Sequence, residues 1–185
     1  MAYQKALQIQ PYAATYSNLA TAFFYLKRYS EAVQTFEKAV QMNPGDETYT
    51  GNLADAYRWA GQKDKATATY DKAISLAYKQ LQVNPRDATI MGHLALYYGK
   101  KGDPTQAKEF IKRARSIDPS DVYSLYIAAV VDTIANEPKP AIATLRTALQ
   151  IGFSVGDVES EPEFAPLRLS PDYQAMIKQF APKGH

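Results

Sequence analysis

The chain has 185 residues, of which 46% are hydrophobic and 22% charged, and its formal net charge is +2 at pH 7. With 21 basic and 19 acidic side chains there is no general electrostatic drive toward nucleic acid or an anionic membrane surface. The absence of cysteine excludes disulfides, thiolate zinc sites and a cysteine nucleophile.

In chain order, residues 1–12 come first. Tyr3, Lys5, Ala6, Leu7, Ile9 and Pro11 have the pattern of the end of a second helix whose partner is missing, so 1–12 is expected to be a half unit. Met1 then falls inside a helix pair, which suggests a fragment of a longer protein with any targeting segment upstream, and leaves cytoplasm as the default location. Uncovered apolar surface at Tyr3 and Leu7 is a candidate for self-association.

From residue 13 onward the pattern repeats. Tyr16, Leu19, Ala20 and Phe23 share one face of a first helix, and Ala32, Phe36, Ala39 and Val40 one face of a second. Pro44 stops that second helix, because proline lacks the N–H and biases the preceding residue away from helix. In 47–87, Ala66, Tyr70, Ala73, Ile74, Ala77 and Leu81 continue one face without a breaker until Pro85. Seven extra residues are about two turns and keep the face in line, so the helix should be longer rather than broken, displacing the next unit by about 10 Å along its axis. Units 88–121 and 122–155 follow, with Pro119 ending the second helix of 88–121, and Gly61 and Gly102 mark turns inside their units.

Three columns of alanine tie these units together: Ala20, Ala54, Ala95, Ala129; Ala32, Ala66, Ala107, Ala141; and Ala39, Ala73, Ala114, Ala148. The steps in every column are 34, 41 and 34 residues, which identifies an internal repeat with one insertion. Alanine recurs in this way where helices approach too closely for larger side chains. Beyond the repeats, Gly152 can end a helix and 154–160 has turn composition. Ser170-Pro171 then starts a helix whose stripe of Tyr173, Met176, Ile177 and Phe180 can cover the end of the stack, so 156–185 is expected to be a linker and a capping helix.

Catalytic patterns are missing from this sequence. It contains no glycine-rich phosphate loop, serine elbow or paired-histidine metal motif, and no cofactor or metal is expected. Asp132 interrupts the best apolar run, Tyr126 to Ala135, which falls short of the ~18 apolar residues of a membrane span. His93 stands in register with Asn18 and Asn52 and is expected to be structural. Asp132 stands where an aromatic is usual, and a local rotation exposing its carboxylate is expected. Lys108, Lys112 and Arg115 share a helix face, with Lys100 and Lys101 close before it. Such a cluster suits a solvated outer surface, a phosphate or an acidic partner.

The recurring large aromatic, Leu, small residue, Tyr, Ala, aromatic, Ala and Pro resembles the tetratricopeptide repeat family. The match is close over 13–46, 47–87 and 88–121 and weaker over 122–155, where Ala128 replaces leucine and Asp132 replaces tyrosine. The resemblance implies an all-α, right-handed α-solenoid of helix-turn-helix units and a non-catalytic scaffold for protein–protein interaction. Gly152-Phe153, Glu163 to Arg168 and Pro171-Asp172-Tyr173 resemble the ends of repeat arrays in bacterial signalling proteins. That likeness implies an alternative role as an intramolecular regulatory or dimerisation segment.

In this family the first helices line a concave groove that holds partner peptides. Carried over, the groove would present Ser17, Thr21, Phe24 and Tyr25; Gly51, Asn52, Asp55, Arg58 and Trp59; Gly92, His93, Leu96 and Lys100; and Tyr123, Tyr126 and Val130. The family's clamp for acidic C-termini is not reproduced, since Ser17, Thr21, Thr89 and His93 occupy its places and only Asn52 matches. Gly51 and Gly92 each cost about 1 kcal/mol inside a helix, for which two explanations stand: space for a ligand, or close helix packing. Trp59 and Tyr25 would flank the ligand space while Arg58 and Asp55 orient a polar partner, and a protein or peptide is the expected ligand.

Overall fold

The structure is a computed structural model that describes residues 12–181. The expected half helix at Tyr3 to Ile9 lies outside the described residues. The described residues are α-helical, without strands, and divide into two compact units on either side of Val83 and Asn84.

The first unit holds two antiparallel helix pairs, α1 (Ala13–Tyr25) with α2 (Tyr29–Met42) and α3 (Glu47–Trp59) with α4 (Lys63–Val83). The second holds α5 (Ala88–Lys101) with α6 (Pro104–Ile117), α7 (Val122–Ile134) with α8 (Pro138–Gln150), and a C-terminal segment. At 21 residues against 14 for α2 and α6, α4 carries the extra turns that the insertion predicts, and Ala77 and Leu81 on them are buried.

All twelve alanines of the three columns are 0–3% exposed. The large residues that recur beside them, Phe36, Tyr70, Ile111 and Leu145, are buried too. Each helix pair is therefore closed by small side chains where backbones approach and by one bulky side chain where they part.

Both kinds of turn repeat as strictly as the core. Between pairs, Asp46, Asp87 and Asp121 accept hydrogen bonds from the backbone N–H groups of Tyr49, Ile90 and Ser124 at 2.9, 3.1 and 2.7 Å. These carboxylates satisfy N–H groups that the first turn of a helix cannot, and they lie favourably against the helix dipole. Within pairs, Arg28, Gln62, Asp103 and Glu137 donate their N–H groups to the carbonyls of Phe23, Tyr57, Tyr98 and Asp132, each at 2.9 Å. This six-to-one closure requires a left-handed residue just before the donor. Gly61 and Gly102 supply it with φ 77° and 99°, while Lys27 and Asn136 adopt φ 60° at the same register.

The C-terminal segment differs from its expected form. Residues 154–160, expected as a turn, form the short helix α9 (Val155–Ser160), started by Ser154, whose hydroxyl accepts from the Asp157 N–H at 3.2 Å. A 3-10 turn at Pro162–Leu167 and α10 (Pro171–Phe180) follow. Val158, Phe164, Leu167, Tyr173 and Met176 join Ala129, Ile142, Leu145 and Leu149 in one buried cluster, with Ile177 and Phe180 at its edge. The Arg168 guanidinium donates to the carbonyls of Glu159 and Glu161, both at 2.8 Å, which fixes the path between α9 and α10. The cap thus has three pieces, and Phe164 is as fully buried as Met176 of the capping helix.

Lys27 holds a conformation that costs a side-chain-bearing residue roughly 1–2 kcal/mol. Lys27→Gly is expected to stabilise the chain by about 0.5–1 kcal/mol, despite the added freedom of the unfolded glycine, and to raise the urea midpoint accordingly. An unchanged or lower midpoint would show that the Lys27 backbone is not strained.

Candidate partner-binding surface

The first helices of the pairs, α1, α3, α5 and α7, carry the residues expected to meet a partner. In the first unit, aromatic side chains gather where α1 and α3 end and α2 begins. The Phe24 ring meets Tyr25, Tyr29 and Trp59 edge-on at centroid distances of 5.8, 5.5 and 6.5 Å, and Tyr29 stacks on Trp59 at 5.8 Å. The Arg58 guanidinium lies over the indole, 5.3 Å from its centroid. Trp59 is half-buried and Tyr25 is 53% exposed, so the cluster is anchored on one side and open on the other. Such edge-on and stacked pairs are worth about 0.5–1.5 kcal/mol each beyond area burial, which makes the rings a rigid platform.

Asp55 and Arg58 have structural work inside the pair. The Tyr70 hydroxyl donates to Asp55 from a side chain that is 1% exposed, and Arg58 lies close enough to act on the same phenol. Burial first, and then the Asp55 charge, push the Tyr70 phenol well above its usual value. Both residues lock α3 to α4 through Tyr70, which limits how far either can turn toward a partner. Asn52 is half-buried on α3, and Gly51 beside it is buried.

In the second unit the surroundings of Gly92 favour close helix packing. A Cβ placed there would lie 2.8 Å from Cδ1 of Ile127, a side chain only 1% exposed. The neighbouring Ile127 accounts for a glycine here by close packing of α5 against α7, the second of the two explanations. His93 is half-buried between Tyr97 and Tyr123, with centroids 6.3 and 6.4 Å away. The ladder continues from Tyr123 to Tyr126 at 5.9 Å and from Tyr126 to Phe153 at 4.8 Å, both stacked, and the Tyr126 hydroxyl donates to Glu161. Tyr123 is 42% exposed, whereas Val130, expected on the groove, is buried. Lys100 is half-buried in the last turn of α5, where a cation complements the helix dipole.

Two features outside this surface were less visible in the sequence. The Tyr57 hydroxyl donates to Glu37 Oε1 at 2.6 Å and joins α2 to α3. Asp132, expected to turn into solvent, is half-buried, and burial raises its carboxyl above the usual range, opposed by Lys108 and reinforced by Glu137. It lines a cavity of about 390 Å³ between α6 and α7, together with Lys108, Lys112 and Arg115. The expected basic face therefore borders a cavity, while Lys100 and Lys101 do not line it. Among the described residues no group of His, Asp or Glu side chains could hold a metal ion, and no helix is long and apolar enough to cross a membrane.

Burial, followed by the hydrogen bond to Glu37, pushes the Tyr57 phenol up to about 12. A raised folded-state value favours the neutral phenol. Its contribution is therefore complete below the unfolded value near 10 and is lost as pH rises toward about 12. Urea midpoints measured from pH 8 to 11.5 should hold steady and then fall above about 10. Tyr57→Phe should cost about 0.5–1.5 kcal/mol at neutral pH and make the alkaline fall shallower. A variant with the parent's alkaline profile would show that Tyr57 does not contribute to it.

Family profiles described as tetratricopeptide repeat match residues 13–46 and 46–120 of the chain. No curated protein matches the sequence. Among solved structures, a thermophilic tetratricopeptide repeat protein of Thermus thermophilus is similar at 21% identity and a TM-score of 0.58, over 91% of this chain and 87% of that one. The Cut9–Hcn1 hetero-tetramer of the APC/C is similar at 16% identity and a TM-score of 0.60, over 96% of this chain and 35% of the other.

Proposed function

Because the chain belongs to the tetratricopeptide repeat family, whose members are generally non-catalytic scaffolds for protein–protein interaction, we propose that it holds a partner peptide or protein against its first helices. The observation that most supports this reading is the pair of aromatic assemblies on those helices. The first rests on the half-buried Phe24, Tyr29 and Trp59 and the second on the buried Tyr97 and Phe164, and each ends in an exposed ring, Tyr25 in one unit and Tyr123 in the other. Aromatic and arginine side chains held rigid in this way lose little entropy on binding and are the usual energetic centres of interfaces. Within each unit, half-buried polar side chains on the same helices, Asn52 in the first and His93 and Lys100 in the second, would supply polar contacts to the partner. The arrangement asks for no cofactor, and the reading is of a non-enzymatic adaptor in the cytoplasm.

A library of random dodecapeptides displayed on phage and selected on the full chain provides the test. Selected peptides should bind Tyr25→Ser or Tyr123→Ser at least tenfold more weakly than the parent, with helical circular dichroism unchanged, since both side chains are exposed. Peptides indifferent to both substitutions would contradict the assignment. The unliganded chain should sediment as a monomer, and self-association at micromolar concentration would favour the alternative of a dimerisation segment.

A further inference from the structure

The cavity between α6 and α7 lies where the chain abandons its own repeat. Arg115 stands at the register that Val40, Ile74 and Leu149 hold elsewhere, and Lys108 at that of Val33, Thr67 and Ile142. Across from them, Ala128 replaces Leu19, Leu53 and Leu94, and Asp132 replaces Phe23, Tyr57 and Tyr98. In the first unit the same contact between α2 and α3 is filled by apolar side chains and closed by the Tyr57 to Glu37 hydrogen bond. In the second unit, two bulky residues have become small or short and two apolar residues cationic. A cavity of about 390 Å³ results, walled by charge where the equivalent interface is packed.

The pocket opens to solvent, and a buried polar atom without a partner at its wall is costly. Arg115 Nε is buried and makes no hydrogen bond. Lys112 is exposed at the rim, and Ile111 and Pro119 contribute apolar surface. Lys108 is already bonded to Glu137 Oε1 at 2.6 Å. The three cations Lys108, Lys112 and Arg115 less the two carboxylates Asp132 and Glu137 leave one net positive charge.

We propose that this cavity takes carboxylate side chains from an acidic segment of a protein partner. A planar carboxylate matches the donor fork of the Arg115 guanidinium, and Lys112 adds a second charge-assisted bond. The aliphatic stem of a glutamate fits the apolar wall. A single negative charge balances the site, whereas a doubly charged phosphate would meet the Asp132 carboxylate as well as the cations. Neither Tyr123 nor Tyr126 lines the cavity.

The test follows the Arg115 Nε–H resonance of the full 15N-labelled chain at pH 7, assigned by its disappearance in Arg115→Lys. Three probes are added in turn: an acetylated and amidated peptide of alternating leucine and glutamate, its glutamine counterpart, and inorganic phosphate. Saturable movement of the resonance with the glutamate peptide is expected, with at least tenfold weaker binding of the glutamine peptide. Binding followed by anisotropy of the labelled glutamate peptide should be lost in the Arg115→Gln, Lys112→Gln double variant at unchanged circular dichroism. Equal binding of the two peptides, retention by the double variant, saturation by phosphate alone or no movement with any probe would each overturn the proposal. Peptides selected on the first-helix surface should bind the double variant as tightly as the parent, which separates failure here from failure of that reading.

Discussion

Close approach of helices at alanine is the constraint on which the structure depends. All twelve column alanines are buried, and in the α5–α6 pair a Cβ added to Gly99 would meet the Cβ of Ala107 in van der Waals contact at 3.5 Å. At that spacing no larger side chain fits, and the bulky residues of each pair are confined to the places where the helices diverge. The turns obey the same constraint. A pair held this tightly leaves only one short way to reverse the chain, the left-handed closure seen at Lys27, Gly61, Gly102 and Asn136.

Most of this was legible because the constraint recurs at fixed spacing. Alanine columns, recurring aromatics and helix-ending prolines are periodic properties, and periodicity survives the exchange of any one residue. Features that depend on a single local conformation were harder to read. Lys27 and Asn136 adopt the backbone of Gly61 and Gly102 without the glycine that signals it. The segment 154–160 looks like a turn because Ser154, Gly156 and Asp157 favour turns, yet Ser154 acts as a helix cap and Val158 is drawn into the core of the cap.

At the candidate surface, identity and role came apart. Asp55 and Arg58 have the chemistry of partner contacts, but the buried Tyr70 phenol engages both, a tertiary relation across fifteen residues that sequence spacing does not reveal. Gly92 was legible as a glycine with a reason, and the position of Ile127 supports close packing as that reason. Tyr25, Trp59, His93 and Tyr126 each contact neighbouring rings, which holds them in place.

Departure from a repeat separates what a pair needs in order to fold from what this pair was given to do. Ala128, Asp132, Lys108 and Arg115 weaken one interface together, and the weakening is compensated if that interface receives a partner. The most direct measurement restores the chain's own pattern with Ala128→Leu, Asp132→Tyr and Arg115→Val in one chain, then follows urea stability and glutamate-peptide binding together. The account predicts a higher midpoint, from a filled cavity, with loss of peptide binding and retention of ligands on the first helices. A lower midpoint, or a restored interface that still binds the acidic peptide, would contradict it.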